Sequence, residues 1–150
     1  MNNSNFVVRH MTPGDVNAVA KVASESFFVP WQRSDFEFSV NAEYDIGLVA
    51  ECEGKVIGFC ILRCSIPQAD VIDVAVTPEA RGAGVGTAMI ERLLFEGEKK
   101  GVSDFMLEVR ESNIPAIKLY ENVGFKVLCT REKYYSAPVE DALVMQCISH

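Results

Sequence analysis

The sequence lacks several features that mark specialised classes of protein. No apolar run among its 150 residues approaches the ~20 needed to span a membrane, and the polar N-terminus lacks the apolar core of a signal peptide. Cysteine occurs five times, an odd number with no Cys-x-x-Cys pair, and histidine only twice, which argues against a zinc site. We therefore expect a metal-free cytoplasmic protein whose cysteines are small core residues in a reducing environment.

Positive charge is also scarce, because 14 Lys and Arg stand against 21 Asp and Glu and leave a net charge of −7. A nucleic-acid-binding surface needs clustered cations, so we expect no nucleic-acid partner and no membrane partner. The charge favours a cationic partner, such as a basic protein or an amine, or else serves solubility alone. No repeat or linker interrupts residues 1–150, which predicts a single domain, either a monomer or a weak homodimer.

Hydrophobic periodicity predicts the element order strand, two helices, three strands, helix, strand, helix, two strands. One helix start is predicted at Thr12, with its hydroxyl as the cap and the Asp15 carboxylate at the end of the first turn. A second helix is predicted to follow Ser34, where Glu37 would complete a capping box, and a tight turn is predicted at Glu53-Gly54. Three strands before the alternating section rule out a simple doubly wound fold. The pattern instead predicts an α+β fold, with a mixed sheet flanked by helices. The predicted strands are 6–10, 46–52, 56–64, 71–76, 104–109, 125–130 and 142–148, and the last two helices end near residues 100 and 123.

A glycine-rich segment, RGAGVGT at residues 81–87, follows a predicted strand and opens a long helix. Glycines adopt positive φ and let a ligand approach the backbone, and a helix N-terminus attracts an anion. Arg81 adds a positive charge, so the segment predicts a phosphate-binding turn. A P-loop would need Lys and then Ser or Thr after its last glycine, and a dinucleotide fingerprint would need glycine at position 87. Neither condition is met.

The spacing Arg81-x-x-Gly84-x-Gly86 resembles the (Q/R)-x-x-G-x-(G/A) signature of the GNAT acetyltransferase superfamily. Residues 107–113, LEVRESN, and 116–125, AIKLYENVGF, resemble the RimI family of ribosomal-protein-alanine N-acetyltransferases more closely. REKYY at 131–135 and EDA at 140–142 extend this resemblance. It is strong over residues 72–146 and weak before residue 30, in the part that shapes the acceptor groove of such enzymes.

The resemblance implies the GNAT acyl-CoA N-acyltransferase fold, a mostly antiparallel sheet of about seven strands, splayed at its middle and flanked by about four helices. It implies direct transfer of an acetyl group from acetyl-CoA, in a ternary complex, to the N-terminal α-amine of a protein such as a basic ribosomal protein. It also implies that Glu108 is the general base and Tyr120 the general acid. The residues that it implies for acetyl-CoA binding are Val74, Ala75, Val76, Arg81, Gly82, Ala83, Gly84, Val85, Gly86, Thr87 and Asn113.

Elementary chemistry is consistent with these roles. An α-amine has a pKa of about 8 and must lose a proton before it attacks, and the leaving thiolate must gain one, which a phenol can supply. A carboxylate base is a poor match at its ordinary pKa of about 4.3, so it needs burial in a cleft. Asp73 is a second candidate base, and strand alternation predicts that it points away from the face of Ile72 and Val74.

Three aromatic residues, Trp31, Tyr134 and Tyr135, are candidate substrate-binding residues. Tyr134-Tyr135 is predicted in the loop between the last two strands, where it either walls a peptide channel or caps the core. Trp31 either covers the substrate groove or packs in the core. Alternative acceptors are a lysine side chain, a polyamine or another small-molecule amine. A non-catalytic acetyl-CoA-binding regulatory domain is a further alternative, against which the presence of both Glu108 and Tyr120 argues.

Overall fold

Within residues 5–27 and 29–149, which the computed structural model describes, seven strands form one sheet with four α-helices around it. Across the sheet the order is β1-β2-β3-β4-β5-β7-β6, and only the β4–β5 pair is parallel. The predicted order of elements and the mixed sheet are both confirmed. The strands are β1 (Val7–His10), β2 (Asp45–Cys52), β3 (Lys55–Ser65), β4 (Gln68–Val76), β5 (Asp104–Arg110), β6 (Lys126–Tyr135) and β7 (Glu140–Ile148), and the helices are α1 (Val16–Ser26), α2 (Arg33–Asn41), α3 (Val85–Lys99) and α4 (Ile114–Asn122).

The N-terminal half of the sheet is covered on both faces. Leu48, Leu62 and Leu93 belong to a buried cluster on the α3 side, and Val19 and Phe59 belong to a second cluster beneath α1 and α2. Because both faces of β3 are covered, the residues from Val56 to Leu62 form a continuous buried run instead of alternating. This half therefore contains most of the hydrophobic core.

The sheet opens between β4 and β5. These strands pair only at Gln68–Asp70 with Asp104–Met106. Just beyond that point Val71 pairs with Leu62 and Asp73 with Ile61, so Ile72 is an extra residue in β4. A bulge of this kind bends a strand and increases its twist, and so the rest of β4 diverges from β5.

The first predicted helix start is confirmed, and the second differs from its predicted cap. Thr12 is the N-cap of a short 3-10 turn, Pro13–Asp15, and the Asp15 carboxylate accepts the Thr12 backbone N–H at 2.8 Å. The predicted capping box of Ser34 with Glu37 is wrong, because α2 begins at Arg33 and Asp35 accepts the N–H of Gln32 at 2.8 Å. Glu37 pairs with Arg33 one turn earlier. The second site contains several adjacent polar side chains, and the local sequence does not select among them.

The predicted turn at Glu53-Gly54 is confirmed, with φ of 52° and 77°, as expected for a two-residue hairpin. The cysteines, all within the described ranges, form no disulfide. The expectation that they are core residues is correct for Cys52 and Cys60 but wrong for Cys129, which is exposed on β6. In the same described ranges, no helix has the length and apolar character needed to cross a membrane.

Candidate active site

The glycine-rich segment forms an open cradle at the start of α3. Gly82 and Gly84 have φ of 85° and 81°, and a Cβ built on either would meet no atom within 4 Å. Gly84 is the N-cap, no side chain caps the helix, and the first helical hydrogen bond runs from Ala88 N–H to Gly84 at 3.1 Å. The first N–H groups of α3 therefore have no partner within the helix. Open space and exposed N–H donors fit a pyrophosphate group.

Two other residues of this segment have structural roles. The guanidinium of Arg81 donates from Nε to the carbonyl of Val76 at 3.1 Å and ties the loop to the end of β4. A Cβ on Gly86 would lie 2.7 Å from Cδ1 of Leu119, so glycine at this position allows α4 to approach α3. Ala83, Val85 and Thr87 lie between and after these glycines, and Val85 is buried in the α3-side cluster. Cofactor contacts at all these positions remain predictions.

The opening between β4 and β5 provides a slot next to this cradle. Val74, Ala75 and Val76 lie beyond Asp70, the last β4 residue that pairs with β5. Their other edge pairs with β3, at Cys60, Phe59 and Gly58 respectively. Main-chain groups on the β5 side of β4 can therefore bind an extended ligand.

Glu108 lies on the other side of the opening, in β5. Its neighbours Leu107 and Val109 are buried on the α3 side, so Glu108 faces the opposite side of the sheet. Its Oε2 is shielded from solvent and has no hydrogen-bond partner among the described residues. A shielded carboxylate oxygen without a donor is unfavourable, so this oxygen is suited to accept from a ligand donor such as an amine.

Tyr120, on α4, belongs to the buried cluster on the α3 side and lies near Cys60, Asp73 and Tyr135. Its ring is buried and packs edge-to-face on Phe125 at 5.9 Å between centroids. Burial, followed by the nearby Cys60, Asp73 and Tyr135, raises its pKa well above the ordinary value of 10. The phenol therefore stays protonated at neutral pH and can act as a proton donor.

Asn113 is the N-cap of α4, and its side-chain carbonyl accepts the N–H of Ala116 at 3.3 Å. Capping of this kind fixes the start of the helix that carries Tyr120. The structure thus gives Asn113 a structural role, and its predicted contact with acetyl-CoA remains a prediction.

The predicted placement of Tyr134 and Tyr135 in a loop is wrong, because both belong to the end of β6. Arg131 pairs with Ala142 and Tyr135 with Glu140, so β6 advances four residues where β7 advances two. This irregularity, with Lys133 at a φ of 50°, brings the neighbouring rings together at 5.1 Å. It could not be foreseen from alternation along the strand.

The two tyrosines lie next to Glu108. A hydrogen bond to the Glu108 carboxylate raises the pKa of Tyr134, and burial together with the same carboxylate raises that of Tyr135 to about 12. Both phenols therefore remain neutral donors at physiological pH. The structure brings Glu108, Tyr134 and Tyr135 together, while Trp31 lies on the other side of the β4–β5 opening, over Arg63 of β3.

Glu140 is a site residue to which the sequence pattern assigned no role. It accepts the N–H of Ser112 at 2.7 Å and pairs with Arg110 at 3.3 Å. The Arg110 guanidinium also lies 4.4 Å from the centre of the Tyr135 ring. Glu140 therefore fixes the end of β5, the turn before α4 and the Tyr135 ring with respect to one another. In the sequence, Glu140 was marked only by its place in the EDA segment at residues 140–142, which resembles the RimI family.

Asp73 is the other carboxyl of the opening. Burial raises its pKa from 3.8 to about 7. It is paired with Ile61, which belongs to the cluster beneath α1 and α2, as does Ile72. The predicted separation from Ile72 is thus wrong, because the bulge interrupts alternation, whereas Val74 does pack on the opposite, α3 side.

A model of the acetyltransferase (GNAT) family matches residues 16–125. The chain is 33% identical over 133 residues to the ribosomal protein bS18-alanine N-acetyltransferase of Escherichia coli (strain K12), covering 87% of this chain and 89% of that protein. The crystal structure of the ribosomal-protein-S18-alanine N-acetyltransferase from Escherichia coli matches with a TM-score of 0.88 at 31% identity, over 97% of this chain and 95% of that one. A putative streptothricin acetyltransferase from Bacillus anthracis, in complex with acetyl coenzyme A, shares the fold with a TM-score of 0.81 at 20% identity, over 97% and 99% of the two chains.

Proposed function

Because this chain belongs to the GNAT acetyltransferase family and is an acetyl-CoA-dependent N-acetyltransferase, we propose that it acetylates the N-terminal α-amine of a ribosomal protein. The observation that carries the proposal is the shielded, unpartnered Oε2 of Glu108 at the opening of the sheet. An incoming ammonium group would supply the donor that this oxygen lacks. The similarity to the ribosomal protein bS18-alanine N-acetyltransferase of Escherichia coli supports the choice of acceptor.

Acetyl-CoA supplies the activated thioester in this reaction. N–H groups of Gly82 to Thr87 would hold its pyrophosphate, with Arg81 next to them, because the loop presents donors and open space. The β5-facing edge of Val74, Ala75 and Val76 would bind the extended part of the molecule and donate an N–H to its carbonyl oxygen. Asn113 would contribute from the start of α4.

Proton transfer is assigned to two side chains. Glu108 takes a proton from the α-amine, whose pKa is about 8, so that the nitrogen lone pair can attack the acetyl carbonyl. The carbon–sulfur bond then breaks, and the sulfur leaves with its electron pair. Tyr120, whose raised pKa keeps its phenol protonated until this point, donates that proton to the sulfur. The second proton, which the attacking nitrogen loses as the amide forms, then restores the phenol. Tyr134, which lies beside this carboxylate, would help to keep it in place.

The acceptor can be tested with peptides that differ only in the amine on offer. One carries a free N-terminal alanine and Arg in place of every Lys, and the other has a blocked N-terminus and an internal Lys. We expect release of CoA thiol with the first peptide alone, and mass spectrometry should place the acetyl group on its N-terminus. Turnover with the lysine peptide or with small amines, and none with any free N-terminus, would refute the proposal in favour of those acceptors.

The role of Tyr120 can be tested with Tyr120→Phe and the matched Tyr44→Phe, since Tyr44 is exposed at the start of β2. We expect Tyr120→Phe to lower kcat about 10²-fold or more while the Kd for acetyl-CoA changes little, because only proton donation is lost. Tyr44→Phe should leave kcat unchanged. Equal turnover by both variants would remove Tyr120 from the mechanism.

A further inference from the structure

Arg63, near the end of β3, has a rigidly held guanidinium. Its Nε and Nη2 donate to the two carboxylate oxygens of Asp45, each at 2.9 Å. The Asp45 side chain is completely buried and also accepts the Ser39 hydroxyl at 2.7 Å. A two-pronged bond to a buried carboxylate fixes both the position and the plane of the guanidinium.

This guanidinium lies between two aromatic rings. Its central carbon is 5.7 Å from the centre of the Trp31 ring and 5.5 Å from that of Tyr44. Both distances are within the range of cation–π attraction. Trp31 belongs to the connection between α1 and α2, whose described residues form no helix or strand, and its ring also packs on Phe36 at 5.3 Å. Arg63 therefore ties an irregular segment to the sheet.

The sheet register places this contact beside the region of Glu108. Arg63 pairs with Asp70 of β4, and Asp70 pairs with Met106 of β5, so the three side chains share one face of the sheet. Glu108 is two residues further along β5 and faces the same way. A groove of about 360 Å³ on this face is lined by Asp70, Met106 and Gln146, among others. Arg63 is the β3 partner of Asp70, which lines this groove, and the Trp31 ring lies against the Arg63 guanidinium. Tyr134, on β6, lies beside Glu108.

We propose that Arg63 is a positioning residue for the acceptor, because it fixes the Trp31 ring as one wall of the groove that leads to Glu108. The proposal rests on the proposed function for the ligand of this groove, a peptide N-terminus. Two strand spacings separate Arg63 from β5, roughly 10 Å, which is wide enough for one extended chain. Lysine cannot replace arginine in this role, since it lacks both the fork that binds Asp45 and the plane that stacks on the rings.

The test compares Arg63→Lys with Arg33→Lys, the same change at an exposed arginine that pairs with Glu37. We expect Arg63→Lys to raise the KM for the acceptor peptide at least fivefold, with kcat and the KM for acetyl-CoA within twofold of wild type. Trp31 is the only tryptophan of the chain, so its fluorescence reports directly on this wall. Its quenching by acrylamide should increase in Arg63→Lys, and Arg33→Lys should change none of these quantities.

A thermodynamic cycle with Trp31→Phe separates positioning from general destabilisation. If Arg63 acts through Trp31, the double variant should have the acceptor KM of the more affected single variant. If the two substitutions instead raise the acceptor KM independently, so that their fold-changes multiply in the double variant, the proposal is overturned. It is also overturned if Arg63→Lys lowers the Tm but leaves the acceptor KM unchanged. If the wild type acetylates a small amine but no peptide, the proposed function fails. The Arg63→Lys effect on the KM for that amine then decides this inference: a rise supports it, and no change overturns it.

Discussion

The two halves of the sheet on either side of the β4–β5 opening differ in how they are covered. In the N-terminal half, β3 carries a continuous buried run between two helical layers. In the C-terminal half, β5 alternates between buried and partly buried residues, and β6 is exposed along almost its whole length. The first half is built as a core, and the second leaves one face open.

The groups assigned to proton removal lie on that open face. Glu108, Tyr134 and the Arg110–Glu140 pair all belong to β5, β6 or β7. A strand buried on both faces could not present a carboxylate to a peptide. We therefore expect the first half to supply more of the stability, while the second half is less completely buried and leaves its carboxylate accessible.

The largest expected effect is on catalysis, from Glu108→Gln in the open half. Loss of the base should lower kcat about 10²–10⁴-fold, while the near-isosteric amide leaves the fold intact. The loss should be greatest at pH values below about 8, where most of the amine is protonated, and should shrink above that. Peptide acetylation rates from pH 6 to 9 measure this, with Glu132→Gln on exposed β6 as control. A loss that does not vary with pH would move the role to Asp73 or to water.

The next effect concerns stability and compares the halves directly. Phe59, fully buried in β3, packs edge-to-face on Phe36 at 5.3 Å, whereas Leu128 on β6 is 56% exposed. We expect Phe59→Ala to reduce the free energy of unfolding by about 3–5 kcal/mol. Leu128→Ala should change it by less than about 0.5 kcal/mol. Urea denaturation gives both values, and similar losses would show that the halves contribute equally.

Asp73, in β4 at the boundary between the halves, should make stability depend on pH. Its pKa is raised from 3.8 to about 7, so between these values the unfolded chain releases a proton that the folded chain keeps. Stability is therefore lost as the pH rises through this window, by up to about 4 kcal/mol for this group. Asp73→Asn should remove the loss and be the more stable form above pH 7. Parallel unfolding curves for both proteins from pH 4 to 8 would contradict the assignment.

The smallest expected effect comes from alanine substitutions at two glycines, which together distinguish backbone strain from loss of ligand binding. Gly54 and Gly84 have φ of 77° and 81°, and neither has an atom within 4 Å of a built Cβ. Alanine should therefore cost about 1–2 kcal/mol of stability at either position. Only Gly84→Ala should also weaken acetyl-CoA binding, by about tenfold, because its methyl group enters the cradle. Calorimetric titration should give equal Kd values for Gly54→Ala and wild type; weakened binding by both would point to strain alone.

Features set by neighbouring residues were predictable from the sequence. The Glu53-Gly54 turn, the glycine cradle and the order of elements depend on local patterns, and all three agree with the structure. The predicted capping box at Ser34 was wrong because Asp35 and Glu37 are equivalent candidates within three residues. Here the packing of the whole helix selects the cap.

Features that depend on distant pairing were not predictable. The extra residue Ile72 in β4 and the irregular end of β6 arise from register with other strands, and both decide where site residues point. Gly86 was grouped with the cradle, although Leu119 of another helix accounts for the absence of a side chain. The contacts of Arg63 with Trp31, Tyr44 and Asp45 likewise join three separate parts of the chain.

The short β4–β5 seam also divides the molecule along the chain. β1 to β4 and α3, which packs on them, come from one continuous stretch, and β5 to β7 with α4 from the stretch that follows. Three residue pairs join the two blocks within the sheet. Chains emerge from the ribosome N-terminus first, and cooperative units fold as they become complete. The block from β1 to α3 can therefore fold while the chain is still being synthesised. The block from β5 to β7, which carries Glu108, can then fold against it.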